Sequence, residues 1–188
     1  MATTIRKPEA NVFESKLGGI TVRGQAHSLS AWFVLALRLM FGFAFLDTGF
    51  QKLTAATPFD AAGYLAHTPA ASPLHGLFVW MAGTPWFVDV VNVAVPWGEF
   101  FIGLGLLVGG LVRLAAFFGA FMMFLFYFGN WSVEHGLINS DFAYMVVFLA
   151  IAAFGAGRII GLDAYIEQYE LDGVPLIEKY PRLGYVLG

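Results

Sequence analysis

One apolar run near the start of the chain constrains the fold more than any other feature. Residues 31–50 are long and apolar enough to cross a bilayer, which takes about 20 mostly apolar residues in a helix. Yet the run contains Arg38, and Lys52 follows at its border. An arginine at the bilayer centre costs about 2.5–3.5 kcal/mol on insertion scales. The side chain of Arg38 is therefore predicted to face protein or water.

The composition favours a membrane protein. Hydrophobic residues make up 59% of the 188-residue chain and charged residues 12%, against about 25% charged residues in ordinary soluble domains. A net charge of −3 gives no indication of nucleic-acid binding. The chain has no cysteine, which excludes disulfides, thiolate nucleophiles and cysteine-ligated iron–sulfur clusters.

The apolar runs predict an all-α integral membrane protein, a four-helix bundle with up-down-up-down topology. The predicted spans are about 31–50, 88–108, 111–128 and 140–160. Outer loops at 53–87 and 129–139 join them, and short interfacial helices are expected at 59–67 and 74–82. The membrane domain, 30–160, lies between an N-terminal arm, 1–29, and a C-terminal tail, 161–188, which opens with a short acidic helix at 163–170.

The basic residues predict the orientation. Apart from Arg38 within the first span and Lys52 at the opposite ends, the lysines and arginines lie in the arm, near the turn at 109–110, at the end of the fourth span or in the tail. Because basic residues flank membrane helices mainly on the cytoplasmic side, both termini are predicted to be cytoplasmic. The expected location is the cytoplasmic membrane, in contact with the lipid bilayer and crossed several times.

Glu99 is the predicted partner of Arg38. Counted from the inner ends of their spans at residues 31 and 108, the two residues lie at similar depths, because a helix rises 1.5 Å per residue. Two interpretations of this candidate catalytic pair stay open. It fixes only the register of two helices, or it borders a polar pocket that holds a ligand oxygen or passes a proton.

Polar residues near the predicted outer ends indicate an outward-facing cavity that binds substrate. The candidates are Lys52, Asp141, Asp47, Asn130 and His135. Asp47 lies on the face of its helix opposite Arg38, where it is placed to meet another helix or another subunit. The alternative is plain loop anchoring, with Asn139 or Ser140 as the N-cap of the fourth span.

The sequence identifies no cofactor site. The four histidines lie outside the predicted spans, which argues against a haem held by two histidines. His67 and His75 with Asp60 match no standard metal-site spacing, so no metal site is predicted. A flat quinone ring would fit among the aromatic residues, which make up 17% of the chain.

Three segments resemble the DoxX family of small four-span membrane proteins, which includes the DoxD-type large subunit of thiosulfate:quinone oxidoreductase. They are LRLMFGFAFLDTGFQKL, GEFFIGLGLLVGGLVRLAAFFGA and GAGRIIGLDAY, between residues 32 and 165. The tail after Asp163 is similar to those of haloarchaeal members. The resemblance implies a membrane subunit linked to quinone reduction, with other membrane or redox subunits or a second copy as partners. The alternative is a non-catalytic accessory subunit whose buried charges only specify helix packing.

Overall fold

Two small hairpins interrupt an otherwise helical chain. The structure, a computed structural model, describes residues 12–132 and 137–188. Strands β1 (Val12–Leu17) and β2 (Ile20–Gln25) pair antiparallel around Gly18 and Gly19, which have φ of 56° and 82°. Two central residues with positive φ match the right-handed twist of a hairpin, and glycine adopts them without strain. The expectation of an all-α chain is thus correct for most of the fold and wrong for this arm.

Within residues 12–132 and 137–188, three helices are long and apolar enough to cross a membrane. They are α1 (Ser30–Thr54), α4 (Pro85–Val108) and α5 (Val112–Gly129). These helices coincide with the first three predicted spans. Pro85 stands in the first turn of α4, where a missing N–H costs nothing. The multi-pass membrane character expected from the sequence is therefore supported by the fold.

The fourth apolar helix is shorter than expected. Helix α6 (Ser140–Ala153) has 14 residues and ends well before residue 160. Gly155 follows with φ of 59°, a left-handed conformation that commonly terminates helices. A 3₁₀ helix, Ala156–Arg158, then carries the chain onward. At 1.5 Å per residue α6 alone covers about 21 Å, less than the hydrocarbon core of a bilayer.

Glycines set the closest helix contacts. A Cβ atom on Gly49 would lie 2.4 Å from the backbone nitrogen of Phe100, and one on Gly103 would lie 2.1 Å from that of Leu46. Helices α1 and α4 therefore touch backbone to backbone, as small residues allow in membrane proteins. At Gly119 of α5, a Cβ atom would lie 2.4 Å from the ring of Phe148 in α6. Larger residues at these positions would separate the helices.

Phe148 connects the α1–α4 pair to the α5–α6 pair. Its ring is fully buried and meets the rings of Phe41 and Phe45 edge to face, at centroid distances of 5.1 and 4.8 Å. Edge-to-face contacts of this kind add about 0.5–1.5 kcal/mol each beyond area burial. The four apolar helices thus share one core.

Two short helices cover the ends of α4 and α5 that carry Pro85 and Gly129. These are named the outer ends, and the opposite ends, which carry Val108 and Val112, the inner ends, after the orientation predicted from the sequence. Helices α2 (Ala62–Ala66) and α3 (His75–Ala82) occupy the loop after α1, which confirms the helical pieces predicted there. Phe78 and Leu65 are almost fully buried and pack in one cluster with Val88 at the start of α4. The loop is therefore a packed cap.

The tail returns to the inner end of the helices. Helix α7 (Leu162–Gln168) confirms the predicted acidic helix and is followed by the hairpin of β3 (Glu170–Leu171) and β4 (Val174–Pro175). Helix α8 (Leu176–Lys179) and a 3₁₀ helix (Pro181–Tyr185) lead to Leu187, which is 2% exposed. The tail is therefore part of the packed structure.

Candidate functional site

The predicted contact between Arg38 and Glu99 is not formed. A Cβ atom on Gly42 would lie 2.9 Å from the nitrogen of Leu107, and one on Gly109 would lie 2.9 Å from Nη1 of Arg38. Arg38 is therefore level with the turn after α4, whereas Glu99 lies about 15 Å farther along that helix. The prediction is wrong because it took the inner ends of the two helices as level. Helix α1 instead extends about two turns beyond α4.

Arg38 binds backbone carbonyls beyond the end of α6. Its Nη1 donates to the carbonyl oxygens of Ala156 and Ile159 at 2.6 and 2.9 Å, and its Nη2 donates to that of Ile160 at 3.0 Å. The side chain is 1% exposed. Carbonyls that follow a helix end lack partners within the helix, and the fork of a guanidinium supplies donors to several at once. Arg38 thus joins α1 to the end of α6.

Asp163 is the buried acid of this inner end. Its carboxylate accepts hydrogen bonds from the N–H groups of Leu111 at 2.7 Å, Val112 at 3.0 Å and Gly188 at 3.0 Å. It is fully buried and caps the first turn of α5 from outside that helix. The sequence analysis placed Asp163 in the tail and so missed this role. The available signal in the sequence was the GGL turn at residues 109–111, after which the first N–H groups of α5 have no partners within that helix.

Glu99 pairs with Lys52. The Nζ atom of Lys52 donates a hydrogen bond to Oε1 of Glu99, and this ion pair joins α1 to α4. Glu99 is 4% exposed, whereas the side chain of Lys52 is 29% exposed. Among the described residues, none gives the other oxygen of Glu99, Oε2, a hydrogen bond. The pair therefore combines a buried acceptor that remains free with a cation that reaches a more open surface.

The loop before α2 covers Lys52. The Nζ atom of Lys52 lies 5.4 Å from the centre of the Phe59 ring, within the range of a cation–π contact. Two residues later, the N–H of Ala61 donates to Oδ1 of Asn92 at 2.8 Å, which fixes the loop to α4. The sequence analysis did not single out Phe59. The Pro58-Phe59 pair soon after the first span was the only signal in the sequence.

The other predicted cavity residues are dispersed. Asn130 donates to Asp141 at 2.8 Å, which joins the ends of α5 and α6, while Asp47 is exposed and accepts from Gln51 at 2.7 Å. Asn139 caps α6 by accepting from the N–H of Phe142 at 3.0 Å, which confirms the N-cap alternative. His135 lies outside the described residues. Lys52 and Asp141 have separate partners, so the contacts do not support one shared cavity.

Tyr64 adds a perturbed group to the outer cap. Burial, and then the negative charge of Asp141, raise the pKa of Tyr64 to about 12. Its ring meets that of Phe126 edge to face at 5.9 Å, and a Cβ atom on Gly129 would lie 2.1 Å from its hydroxyl oxygen. Gly129 is therefore what leaves room for the phenol. The sequence analysis did not single out Tyr64.

An apolar groove runs between α4 and α5 beneath the cap. Its volume is about 1090 Å³. Residues that line it include Phe59, Tyr64, Trp80, Phe101, Leu104 and Phe118. Phe59 thus contacts both the groove and Lys52. The groove has the size and apolar lining typical of ligand pockets, and it begins beside the ion pair.

Comparison with known proteins identifies the family. The DoxX family model matches residues 33–134, more than half of the chain. The chain belongs to the DoxX family. The matched segment contains Arg38, Lys52 and Glu99. It ends before α6 and the tail, so Asp163 lies outside the part of the chain that matches the DoxX family. No curated protein and no solved structure matches the chain.

Proposed function

We propose that this DoxX protein is a membrane subunit of a quinone-linked redox complex, of the thiosulfate:quinone oxidoreductase type, and that it binds quinone at the Lys52–Glu99 pair. The free Oε2 of Glu99 carries the proposal. A buried carboxylate oxygen without a donor is costly, so a ligand that brings a hydroxyl group or a proton would relieve that cost. The proposal moves the site from the expected Arg38–Glu99 pair to the pair with Lys52.

The groups at the pair fit a quinone. Lys52 has N–H donors beyond the one that Glu99 accepts, so its Nζ can donate to a carbonyl oxygen. Glu99 Oε2 can accept from a hydroxyl group, and Phe59 offers an apolar ring beside both. When bound, a quinone supplies an acceptor for two electrons and two protons. Lys52, with its exposed side, is the group through which protons would exchange with solvent.

The groove between α4 and α5 suits the apolar tail of such a ligand. It extends from Phe59 at the outer end to Leu111 at the inner end, which corresponds to most of the length of α4. A chain lying there would bury apolar surface at about 25 cal/mol per Å². A polar head at Lys52 and a tail in the groove would use both features together.

The same proposal includes the topology expected from the sequence. Helix α6 and the 3₁₀ helix after it would complete a fourth crossing, in a four-helix up-down-up-down bundle with both termini on the cytoplasmic side of the cytoplasmic membrane. The hydrogen bonds from Arg38 to Ala156 and Ile159 support this, because they hold the end of that segment level with the inner end of α4. Electrons would reach the quinone from a partner redox subunit.

The test is thiosulfate-dependent quinone reduction in native membranes. Glu99→Gln and Lys52→Met should each lower the rate per protein by about tenfold or more, since acid–base groups contribute about 10²–10⁴ in rate. Asp89→Asn is the matched control, because Asp89 is an exposed acid on the same helix, and it should leave the rate unchanged. Equal rates for wild type and Glu99→Gln would reject the site.

A non-catalytic accessory subunit is the second candidate. One observation favours it: the Lys52–Glu99 pair joins two tightly packed helices and so helps to fix their register. This candidate predicts that Glu99→Gln lowers the abundance of the protein without changing turnover per complex. It also predicts that solvent extraction of the purified complex yields no quinone, whereas a stoichiometric quinone would reject it.

A further inference from the structure

The loop between α1 and α2, residues 55–61, covers the Lys52–Glu99 pair. Most of its side chains are exposed, whereas Phe59 is half-buried and Ala61 is 3% exposed. The ring of Phe59 lies 5.4 Å from Nζ of Lys52 and also packs against the buried cluster of the outer cap. Phe59 and Ala61 therefore turn inward while the rest of the loop faces outward. This loop is named the lid.

One residue of α4 fixes the lid. Oδ1 of Asn92 accepts a hydrogen bond from the N–H of Ala61 at 2.8 Å. Within residues 12–132 and 137–188, this is the one hydrogen bond that joins the lid to α4. Phe59 is only two residues from Ala61, and two residues span at most about 7 Å. A backbone held at Ala61 therefore restricts where the ring of Phe59 can lie.

Asn92 lies on the face of α4 that carries the site. It precedes Glu99 by seven residues, which is almost two full turns, so both side chains leave the helix on the same side. Glu99 binds Lys52 of α1, whereas Asn92 binds the lid. One face of one helix thus holds both the ion pair and the segment that covers it.

We propose that Asn92 is a positioning residue that holds the lid closed over a quinone head at the Lys52–Glu99 pair. The inference rests on the quinone site of the proposed function. With the lid closed, the ring of Phe59 covers one side of Lys52, whose other side stays open for proton exchange. Exclusion of water on the covered side strengthens the hydrogen bond from Lys52 to a quinone oxygen. Phe59 also lines the groove, so a closed lid leaves the apolar side of the site free for the tail.

Chemical labelling of Lys52 tests the lid without a measurement of turnover. Purified protein in lipid nanodiscs is treated briefly with an amine-reactive ester, and mass spectrometry gives the labelling rate of Lys52 relative to that of Lys16, an exposed lysine of β1. Asn92→Leu removes the acceptor for Ala61 and should raise the relative rate about 2- to 12-fold, the equilibrium factor of one net hydrogen bond. Asn92→Asp keeps an acceptor and should restore the wild-type rate. Val93→Leu, a change at an exposed neighbour on α4, is the control and should leave the rate unchanged.

Quinone kinetics test the link between the lid and the site. In the thiosulfate-dependent assay, Asn92→Leu should raise KM for quinone by a similar factor and leave kcat nearly unchanged, because Lys52 and Glu99 are both still present. Asn92→Asp should have the wild-type KM, which a general loss of folded protein would not produce.

Equal labelling of Lys52 in the wild type and in Asn92→Leu would overturn the proposal. Faster labelling with an unchanged KM would also overturn it, provided that Glu99→Gln still lowers turnover. A failure of the quinone site itself is recognised separately, because Glu99→Gln would then keep the wild-type rate. The labelling result would still decide whether Asn92 closes the lid.

Discussion

The two ends of the α1–α4 helix pair handle buried charge in opposite ways. At the inner end, Nη1 and Nη2 of Arg38 donate to three carbonyl oxygens while its Nε has no partner in the described chain, and Asp163 accepts from three N–H groups. At the outer end, Glu99 has one oxygen bound by Lys52 and one oxygen without a donor in the described chain. The inner charges bind backbone groups of several elements and so stabilise the fold, whereas the outer pair joins two side chains and leaves a carboxylate oxygen as an acceptor for a ligand. The comparison assigns architecture to the inner end and chemistry to the outer end.

The largest effect is expected at the inner end, where the charges bind backbone groups. Arg38→Met removes a buried donor to the carbonyl of Ala156 and the only donors found among the described residues for the part-buried carbonyls of Ile159 and Ile160. A polar group that loses its partner costs about 1–3 kcal/mol where it is buried and less where water replaces the donor. We expect a loss of about 3 kcal/mol in the free energy of unfolding, measured by denaturant titration in detergent. Arg182→Met, the same substitution at an exposed site, is the control and should be nearly neutral. A near-neutral Arg38→Met would remove the distinction between the two ends.

Removing the charge of the outer pair should lower the free energy of unfolding much less. Glu99→Gln keeps the shape of the side chain and an acceptor for Lys52, whose side chain is 29% exposed and so can be solvated without the carboxylate. The cost to stability should therefore stay within about 1 kcal/mol, below the loss expected when a fully buried partner charge is left unpaired. The same denaturant titration measures it, beside Asp89→Asn. A loss as large as that of Arg38→Met would place Glu99 with the structural charges and would favour the accessory-subunit reading.

The sequence predicted the helices well and their register poorly. Runs of apolar residues identify spans, since about 20 of them are needed to cross a bilayer, and α1, α4 and α5 follow them closely. The pairing of Arg38 depended on how far α1 extends beyond α4, which is set by backbone contacts at Gly42 and Gly49. No periodicity encodes that offset. A guanidinium can also be satisfied by carbonyls, which carry no sequence signal.

The candidate site followed the same pattern. Lys52 and Glu99 were both singled out from the sequence as charges in or beside apolar runs, yet with different partners. Phe59 and Tyr64 joined the outer end only through the packing of the cap, which long-range contacts determine. Residue type therefore identifies the charged residues of a membrane protein that need a buried partner. The offset between helices determines which of them form pairs.

The smallest expected effect concerns Tyr64. Its titration reports whether the negative charge of Asp141 acts at the outer cap without being neutralised. Its pKa of about 12 lies above the usual value of 10, so the folded state keeps a proton that the unfolded state releases. This contribution to stability is complete below pH 10 and is lost as the pH rises to about 12.

NMR of ¹³C-labelled tyrosine, with Tyr64→Phe for assignment, should show the late titration. Gly129→Ala should bring the pKa back toward 10, because its methyl group displaces the hydroxyl from its place against Gly129. Asp141→Asn should lower it less, since burial is the larger cause, and a Tyr64 that titrates near 10 in the wild type would mean that the cap is open to water.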